Sequence, residues 1–259
     1  HFNTDIISGD SMQIYQTMDI GTAKIKAGEA NQVPHHMIDI LDPSEAYSVA
    51  RYQKDVRRLI GDFKAKNKLP LIVGGTGFYI KSVLHDLNFD HAYRDETVEK
   101  TYEQESNEAL YQNLQTVDQA TAKTLHPNNR KRIIQALNRA QKGSLRSKQT
   151  NQDTVVYPYV LIVLTMERSV LYDRINERVH AMFEAGLLEE AKQLYNRGDI
   201  SKTAAQAIGY KECFDYFKGF LSLEDAKSLI KQRSRQYAKR QLTYFKHQFK
   251  DAHMVDVTN

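Results

Sequence analysis

One cysteine, Cys213, is all that the 259-residue chain carries, which excludes an intramolecular disulfide and a cysteine-based zinc cluster. Long apolar runs are also missing. The longest, Tyr159-Val160-Leu161-Ile162-Val163-Leu164, falls far short of the roughly 20 residues that a membrane-spanning helix needs. At the amino terminus, His1-Phe2-Asn3-Thr4-Asp5 offers no basic flank followed by an apolar stretch, so no signal peptide is expected. The phosphate-binding signature GxxxxGK[ST] occurs nowhere in the chain, and no internal repeat or low-complexity tract is evident. What is present is a 41% hydrophobic, 26% charged composition with a mean hydropathy of -0.59. Those proportions suit a soluble, cytoplasmic protein built as one large domain, or as one domain carrying an insert.

Charge of either sign is nearly balanced, with 36 Lys+Arg against 32 Asp+Glu. Its distribution says more than its sum. From Lys227 to Lys250 there are eight basic residues and no acid. Such a stretch suits a phosphate-rich polyanion, whose counterions are released on binding, or else a solvated helix face.

Asp5-Ile6-Ile7-Ser8 reads as a short buried strand, followed by a polar loop from Gly9 to about Val33. Pro34-His35-His36-Met37-Ile38-Asp39-Ile40 leads to a turn at Asp42-Pro43. Ser48 is placed to cap a helix carrying Val49, Tyr52, Val56, Leu59, Ile60 and Phe63 at helical spacing. Pro70-Leu71-Ile72-Val73 is an apolar strand broken by Gly74-Gly75, and a second helix begins near Phe78. This alternation predicts an α/β fold, a parallel sheet covered by helices on both faces. From about His91 to Lys142 only amphipathic helix is expected, anchored by Leu110, Leu114, Val117, Leu125, Ile133, Ile134 and Leu137. Val160 to Leu164 predicts another core strand, and the chain is then expected to be helical to about Phe249. The predicted organisation is a core of residues 1–91 and 148–259 with a helical insertion at 92–147.

Four clusters are suited to chemistry. Asp10 and Ser11 follow the opening strand, where parallel sheets place their ligands, although a loop-capping Asp-Ser pair would read the same way. Val73-Gly74-Gly75-Thr76-Gly77 is either a turn whose amides approach an oxyanion, with Thr76 adding a hydroxyl, or an ordinary tight turn. Arg174 and Arg178 lie one helical turn apart and could clamp a diphosphate or pair with Asp173 and Glu177 on the surface. Arg130, Lys131 and Arg132 follow His126-Pro127 and serve either phosphates or solubility. The adjacent His35 and His36 point in opposite directions in extended chain and find no third ligand nearby, which argues against a metal site.

Taken in order, several segments resemble the tRNA dimethylallyltransferase family. They are Ser8-Gly9-Asp10-Ser11-Met12-Gln13-Ile14-Tyr15, Met18-Asp19-Ile20-Gly21-Thr22-Ala23-Lys24 and Pro34 to Ile40, then Val73 to Tyr79, His126-Pro127-Asn128, Ala207-Ile208-Gly209-Tyr210-Lys211 and Arg235 to Gln241. The resemblance implies a P-loop kinase-like core with an inserted all-helical domain that contacts tRNA. It also implies transfer of a dimethylallyl group from dimethylallyl diphosphate to N6 of adenosine 37, beside the anticodon, with Mg2+. Carried over by position, Asp10 is similar to the family's general base, Thr76 to a residue near the reacting adenosine, and Arg178 to a diphosphate-binding arginine, with Arg174 beside it. The stretches matching tRNA contacts are Asp10, Ser11, Met12 and Gln13; Lys131, Arg132, Ile133, Ile134 and Gln135; and Gln206, Ala207, Ile208, Gly209, Tyr210 and Lys211. A monomer is expected, with tRNA and dimethylallyl diphosphate as partners and no membrane.

Three departures from the family pattern stand out. Its opening strand and GxTxSGK[ST] loop do not appear, and residues 1–259 alone are expected to be inactive without them. Asn129 stands where the family usually has Asp, and Gln135 where it often has Arg. Two rival readings remain: an adenylate isopentenyltransferase acting on free nucleotide, and a non-catalytic RNA-binding protein on a kinase-like fold.

Overall fold

The computed structural model describes residues 3–26, 28–89, 101–102, 104–143, 145–148 and 153–258. The chain forms two compact units, one of residues 1–85 with 156–259 and one of residues 86–155. The core-to-insert boundary expected near residue 91 lies outside the described residues; the other, expected between 147 and 148, falls in the turn at Arg146–Lys148, inside the unit of residues 86–155.

In the first unit β1 (Ile6–Ser8) is the centre of a three-stranded parallel sheet, between β2 (His35–His36) and β3 (Leu71–Val73). Ile6 lies opposite both His35 and Leu71, and Ile7 is completely buried. Parallel strands of one sheet need a crossover, and α1 (Val49–Ala65) supplies the one from β2 past β1 to β3. The Ser48 hydroxyl accepts the Arg51 N–H at 3.2 Å, as its capping position predicts. Tyr52, Val56 and Phe63 form the helix's buried face. The Tyr52 hydroxyl donates to the Ser8 carbonyl at 2.9 Å, tying α1 to the end of β1. After β3 comes α2 (Gly77–Leu84), most of which is buried.

A second parallel pair joins β4 (Ile162–Thr165) to β5 (His253–Asp256), with Ile162 opposite His253. The core strand expected over Val160–Leu164 is corrected here. Pairing starts at Ile162, and only Val163 is buried, against Ile80, Leu84, Phe245 and Phe249. Val160, Ile162 and Leu164 are all more than half exposed. Strand residues alternate between faces, and no described element covers the second face.

Between those two strands the chain is not continuous helix. Positive φ at Gly186 (102°), backbone that glycine adopts readily, separates α6 (Arg168–Glu184) from α7 (Leu187–Arg197), and positive φ at Gly198 (72°) ends α7. Next come α8 (Tyr210–Phe217) and the long α9 (Leu223–Gln248). Leu187, Ala191 and Leu194 of α7, Tyr210 of α8 and Ile230 of α9 share one core cluster with Ile7, Ile14 and Tyr52.

The regular elements described in the second unit are helical: α3 (Asn107–Val117), α4 (Gln119–Thr124), α5 (Arg130–Gln141) and a 3-10 turn at Arg146–Lys148. Ser106 caps α3 and Asp118 caps α4 through their side-chain oxygens. Leu110, Leu114, Leu125, Ile133 and Leu137 make its core as their spacing predicts, whereas Val117 is exposed.

Candidate active site

The Asp10 segment leaves β1 at its carboxyl end and is stitched to the turn after β3. Gly9 N–H donates to the Val73 carbonyl at 2.7 Å, and Thr76 N–H donates to the Gly9 carbonyl at 3.0 Å. Asp10 Oδ1 accepts the N–H groups of Met12 (2.7 Å) and Gln13 (3.2 Å). Its Oδ2 has no hydrogen-bond partner among the described residues. Thr76 Oγ1 accepts the Ser11 N–H at 3.1 Å and lies 3.3 Å from Ser11 Oγ.

Helix α9 closes on this group. Tyr237 stands near Asp10, Thr76 and Gln241, and Gln241 Nε2 donates to the Gly75 carbonyl at 3.0 Å. Burial pushes the Tyr237 phenol up; the Thr76 hydrogen bond opposes that shift and the Asp10 charge adds to it. Tyr237 therefore keeps its proton at neutral pH and presents a hydroxyl, not a phenolate, beside Asp10. Of the two readings of the glycine turn, the structure supports the ordinary tight turn, whose glycines let α9 pack closely. A Cβ on Gly75 would lie 1.9 Å from Gln241 Nε2, one on Gly77 2.4 Å from the Tyr244 ring. The amides of Thr76 and Gly77 donate inside the protein, to Gly9 and Gly75, so they are not aimed at an external anion.

A cavity of about 630 Å³ opens beside Asp10, with Arg178 also on its wall. Tyr237, Arg240 and Gln241 of α9 and Gly21, Thr22 and Ala23 complete much of the lining. Thr76 is not part of the wall itself but bonds to Ser11, which is. Helix α6 contributes Leu171, Ile175, Arg178, Val179 and Met182. At about 100° per residue these make one stripe, and Arg174 falls at its edge. Arg174 is exposed and does not line the cavity; the two arginines expected to act together are separated. A second cavity, of about 600 Å³, shares Ala23, Arg178 and Met182 with the first. On its wall Lys24 Nζ donates to the Tyr15 carbonyl at 2.8 Å and to Asp19 and Asp39 at 2.5 Å each.

The stretches expected to touch tRNA divide. Asp10 to Gln13 and Gln206 to Gly209 line the first cavity. Tyr210 is buried, its hydroxyl donated to Glu190, and Lys211 Nζ donates to Gln206 Oε1 at 3.0 Å, off the cavity wall. On α5, Lys131, Arg132 and Gln135 are exposed and Ile134 is half-buried, but Ile133 is fully buried in its unit's core. Side-chain contact with RNA is thereby ruled out for Ile133 and Tyr210. Arg130, read with Lys131 and Arg132 as a cationic trio, instead donates to the carbonyls of Glu105 (2.6 Å) and Tyr102. The basic α9 divides similarly: Arg233 pairs with the buried Glu212, Arg235 donates to Asn176 Oδ1 at 2.7 Å, and Arg240 reaches the cavity. His36 pairs with Asp5 at 3.0 Å, and no metal-holding group of three acidic, histidine or cysteine residues occurs among the described residues. Sequence reasoning assigned no site role to Tyr237, Gln241 or Glu190. The first two sat in the quoted Arg235–Gln241 segment, while Glu190 had no local signal.

Residues 13–248 match the family model described as IPP transferase. A tRNA dimethylallyltransferase of Exiguobacterium sp. is 48% identical over 261 residues, covering 99% of this chain and 83% of the relative. Among solved structures, the full-length tRNA isopentenylpyrophosphate transferase of Bacillus halodurans has a TM-score of 0.74 at 45% identity, over 99% of this chain and 82% of that one. A eukaryotic dimethylallyltransferase acting on tRNA has a TM-score of 0.86 at 28% identity, over all of this chain and 68% of that one. The chain therefore belongs to the IPP transferase family.

Proposed function

We propose that the protein transfers a dimethylallyl group from dimethylallyl diphosphate to N6 of the adenosine beside the anticodon of tRNA. The observation that carries this reading is the placement of Asp10, with an uncommitted Oδ2, and Arg178 on the wall of one cavity. The N6 amine is a weak nucleophile because its lone pair is delocalised into the purine. As N6 attacks C1 of the prenyl group, the C1–O bond to diphosphate breaks and Asp10 Oδ2 takes the N6 proton. General-base help of this kind is worth roughly 10²- to 10⁴-fold. Arg178 receives the charge that develops on the leaving diphosphate. Thr76 holds the Asp10–Gln13 turn through Ser11, with the protonated Tyr237 of α9 nearby. The target base must leave its stack to reach the cavity, which an unpaired anticodon loop permits at low cost.

Magnesium finds a limited fit. Among the described residues, Asp10 is the one acidic side chain on the wall of the first cavity, and three-residue cages are absent. A single carboxylate suits only an ion that brings its other oxygens from phosphate and water. Mg2+ is therefore proposed as a companion of the diphosphate, and no step above depends on it. Lys131, Arg132 and Gln135, exposed on α5, are proposed as RNA contacts of the helical unit. The protein is proposed to act as a monomer.

Asp10→Asn tests the reading in the protein expressed from its whole reading frame. Prenyl transfer to an anticodon stem-loop should fall at least about 100-fold, far more than stem-loop affinity. Equal loss of both would end the base assignment. A parent protein that prenylates free AMP and binds no stem-loop at low salt would establish the nucleotide-acceptor reading instead.

A further inference from the structure

Between Met18 and Lys24 the chain forms a loop rather than a regular element. Gly21, Thr22 and Ala23 border the first cavity, while Asp19, Ile20 and Lys24 border the second. Backbone N–H groups in such a loop need an acceptor from elsewhere. One side chain supplies it for three residues in succession. Glu190, on α7, accepts the N–H of Asp19 at 3.0 Å, of Ile20 at 2.9 and 3.1 Å, and of Gly21 at 3.1 Å. The Tyr210 hydroxyl donates to the same carboxylate at 2.5 Å. Burial, together with that negative charge, pushes the Tyr210 phenol up, so it remains a donor. Gly21 also has to be glycine, since a Cβ there would lie 2.4 Å from the Tyr210 ring.

A bonded path runs from this clamp to the reacting carboxylate. Gln13 Nε2 donates to the carbonyls of Thr22 (3.2 Å) and Ala23 (3.4 Å), and Gln13 N–H donates to Asp10 Oδ1 at 3.2 Å. We propose that Glu190 is a positioning residue of the active site, its carboxylate ordering the 19–21 backbone so that the Gly21–Ala23 wall, and through Gln13 the Asp10 turn, are set before RNA arrives. This rests on the functional reading above, since it names the anticodon loop as what the ordered wall receives. An ionised carboxylate accepts several N–H groups strongly. A carboxamide in its place would turn an NH2 toward some of those donors and could not accept from them all. Ordering the wall beforehand removes that entropy loss from the binding step.

The test compares Glu190→Gln with Arg197→Ala. Arg197 is another anchor of α7, to Asp42 at 2.8 Å and Asp199 at 3.1 Å, and touches neither the 19–24 loop nor the cavity. Affinity for an anticodon stem-loop, read by fluorescence anisotropy, should fall about tenfold in Glu190→Gln and stay at the parent level in Arg197→Ala. Parent-like binding by Glu190→Gln overturns the proposal, as does an equal loss in both variants, which would make the effect one of general stability. Amide exchange gives a second measurement that needs no variant: the Ile20 and Gly21 amides should be protected in the parent, and fast exchange there overturns the clamp. If Glu190→Gln does not fold, Tyr210→Phe replaces it, with partly reduced protection of the same amides expected and unchanged protection counting against the proposal. A parent that binds no stem-loop refutes the functional reading, whereas a binding parent with an indifferent Glu190→Gln refutes this inference alone.

Discussion

In the unit of residues 1–85 and 156–259, Ser11 meets Thr76 across 65 residues of sequence and Ile20 meets Glu190 across 170. In the unit of residues 86–155, the exposed side chains of Lys131, Arg132 and Gln135 are near neighbours on one helix and have no hydrogen-bond partner among the described residues. The first arrangement fixes atoms; the second only concentrates charge. Bond-making needs reacting groups held to within a fraction of an ångström. Phosphate contacts act through released counterions and tolerate side chains that slide. The difference explains why polar networks crowd around Asp10 while α5 carries its cations on an ordinary amphipathic helix.

Leu114→Ala probes the helical unit hardest. Leu114 is completely buried in that unit's core, and truncation should cost about 2–5 kcal/mol there. Hydrogen exchange should lose protection in α3 and α5 while β1 and α1 keep theirs; equal loss in both units would break the separation. Acid provides a smaller and reversible version of the same experiment. Burial acts to raise the Asp118 carboxyl, but hydrogen bonds from Thr121 and Ser147 outweigh it and hold it at about 2, below the ordinary 3.8. A carboxyl lowered by folding stabilises the native state above its unfolded value and loses that contribution as pH falls through the folded one. Protection of α4 should therefore drop between about pH 4 and pH 2, and Asp118→Asn should abolish the dependence; an unchanged acid profile in that variant would deny Asp118 its part. The smallest effect is electrostatic. Lys131→Ala and Arg132→Ala should each weaken stem-loop binding modestly and reduce the salt slope by about one, without altering prenyl-transfer rate at saturating RNA. A fall in that rate instead would show that α5 positions the base as well as attracting the strand.

Much of the architecture was legible locally. Ser48 announced α1, the apolar run at 71–73 announced β3, and Leu110, Leu114 and Ile133 marked a helical core by spacing alone. The failures share a cause. Val160–Leu164 read as a core strand because apolar content does not reveal which faces are covered. The strand His253–Asp256 escaped notice, since its partner Ile162–Thr165 lies some ninety residues earlier. Arg174 and Arg178 looked equivalent until the wall of one cavity selected Arg178.

Residue order alone determined the α/β rhythm, the helical character of the insert and the carboxylate placed after the first strand, because caps, periodicity and glycine turns act over a few residues. Tertiary structure decided the rest: that Asp10 and Arg178 share a cavity, that Tyr237 and Gln241 of α9 close on Thr76 and Gly75, and that Glu190 orders the loop at 19–21. Those contacts join segments far apart in the chain, and a hydrogen bond depends on distance in space, which residue spacing does not encode.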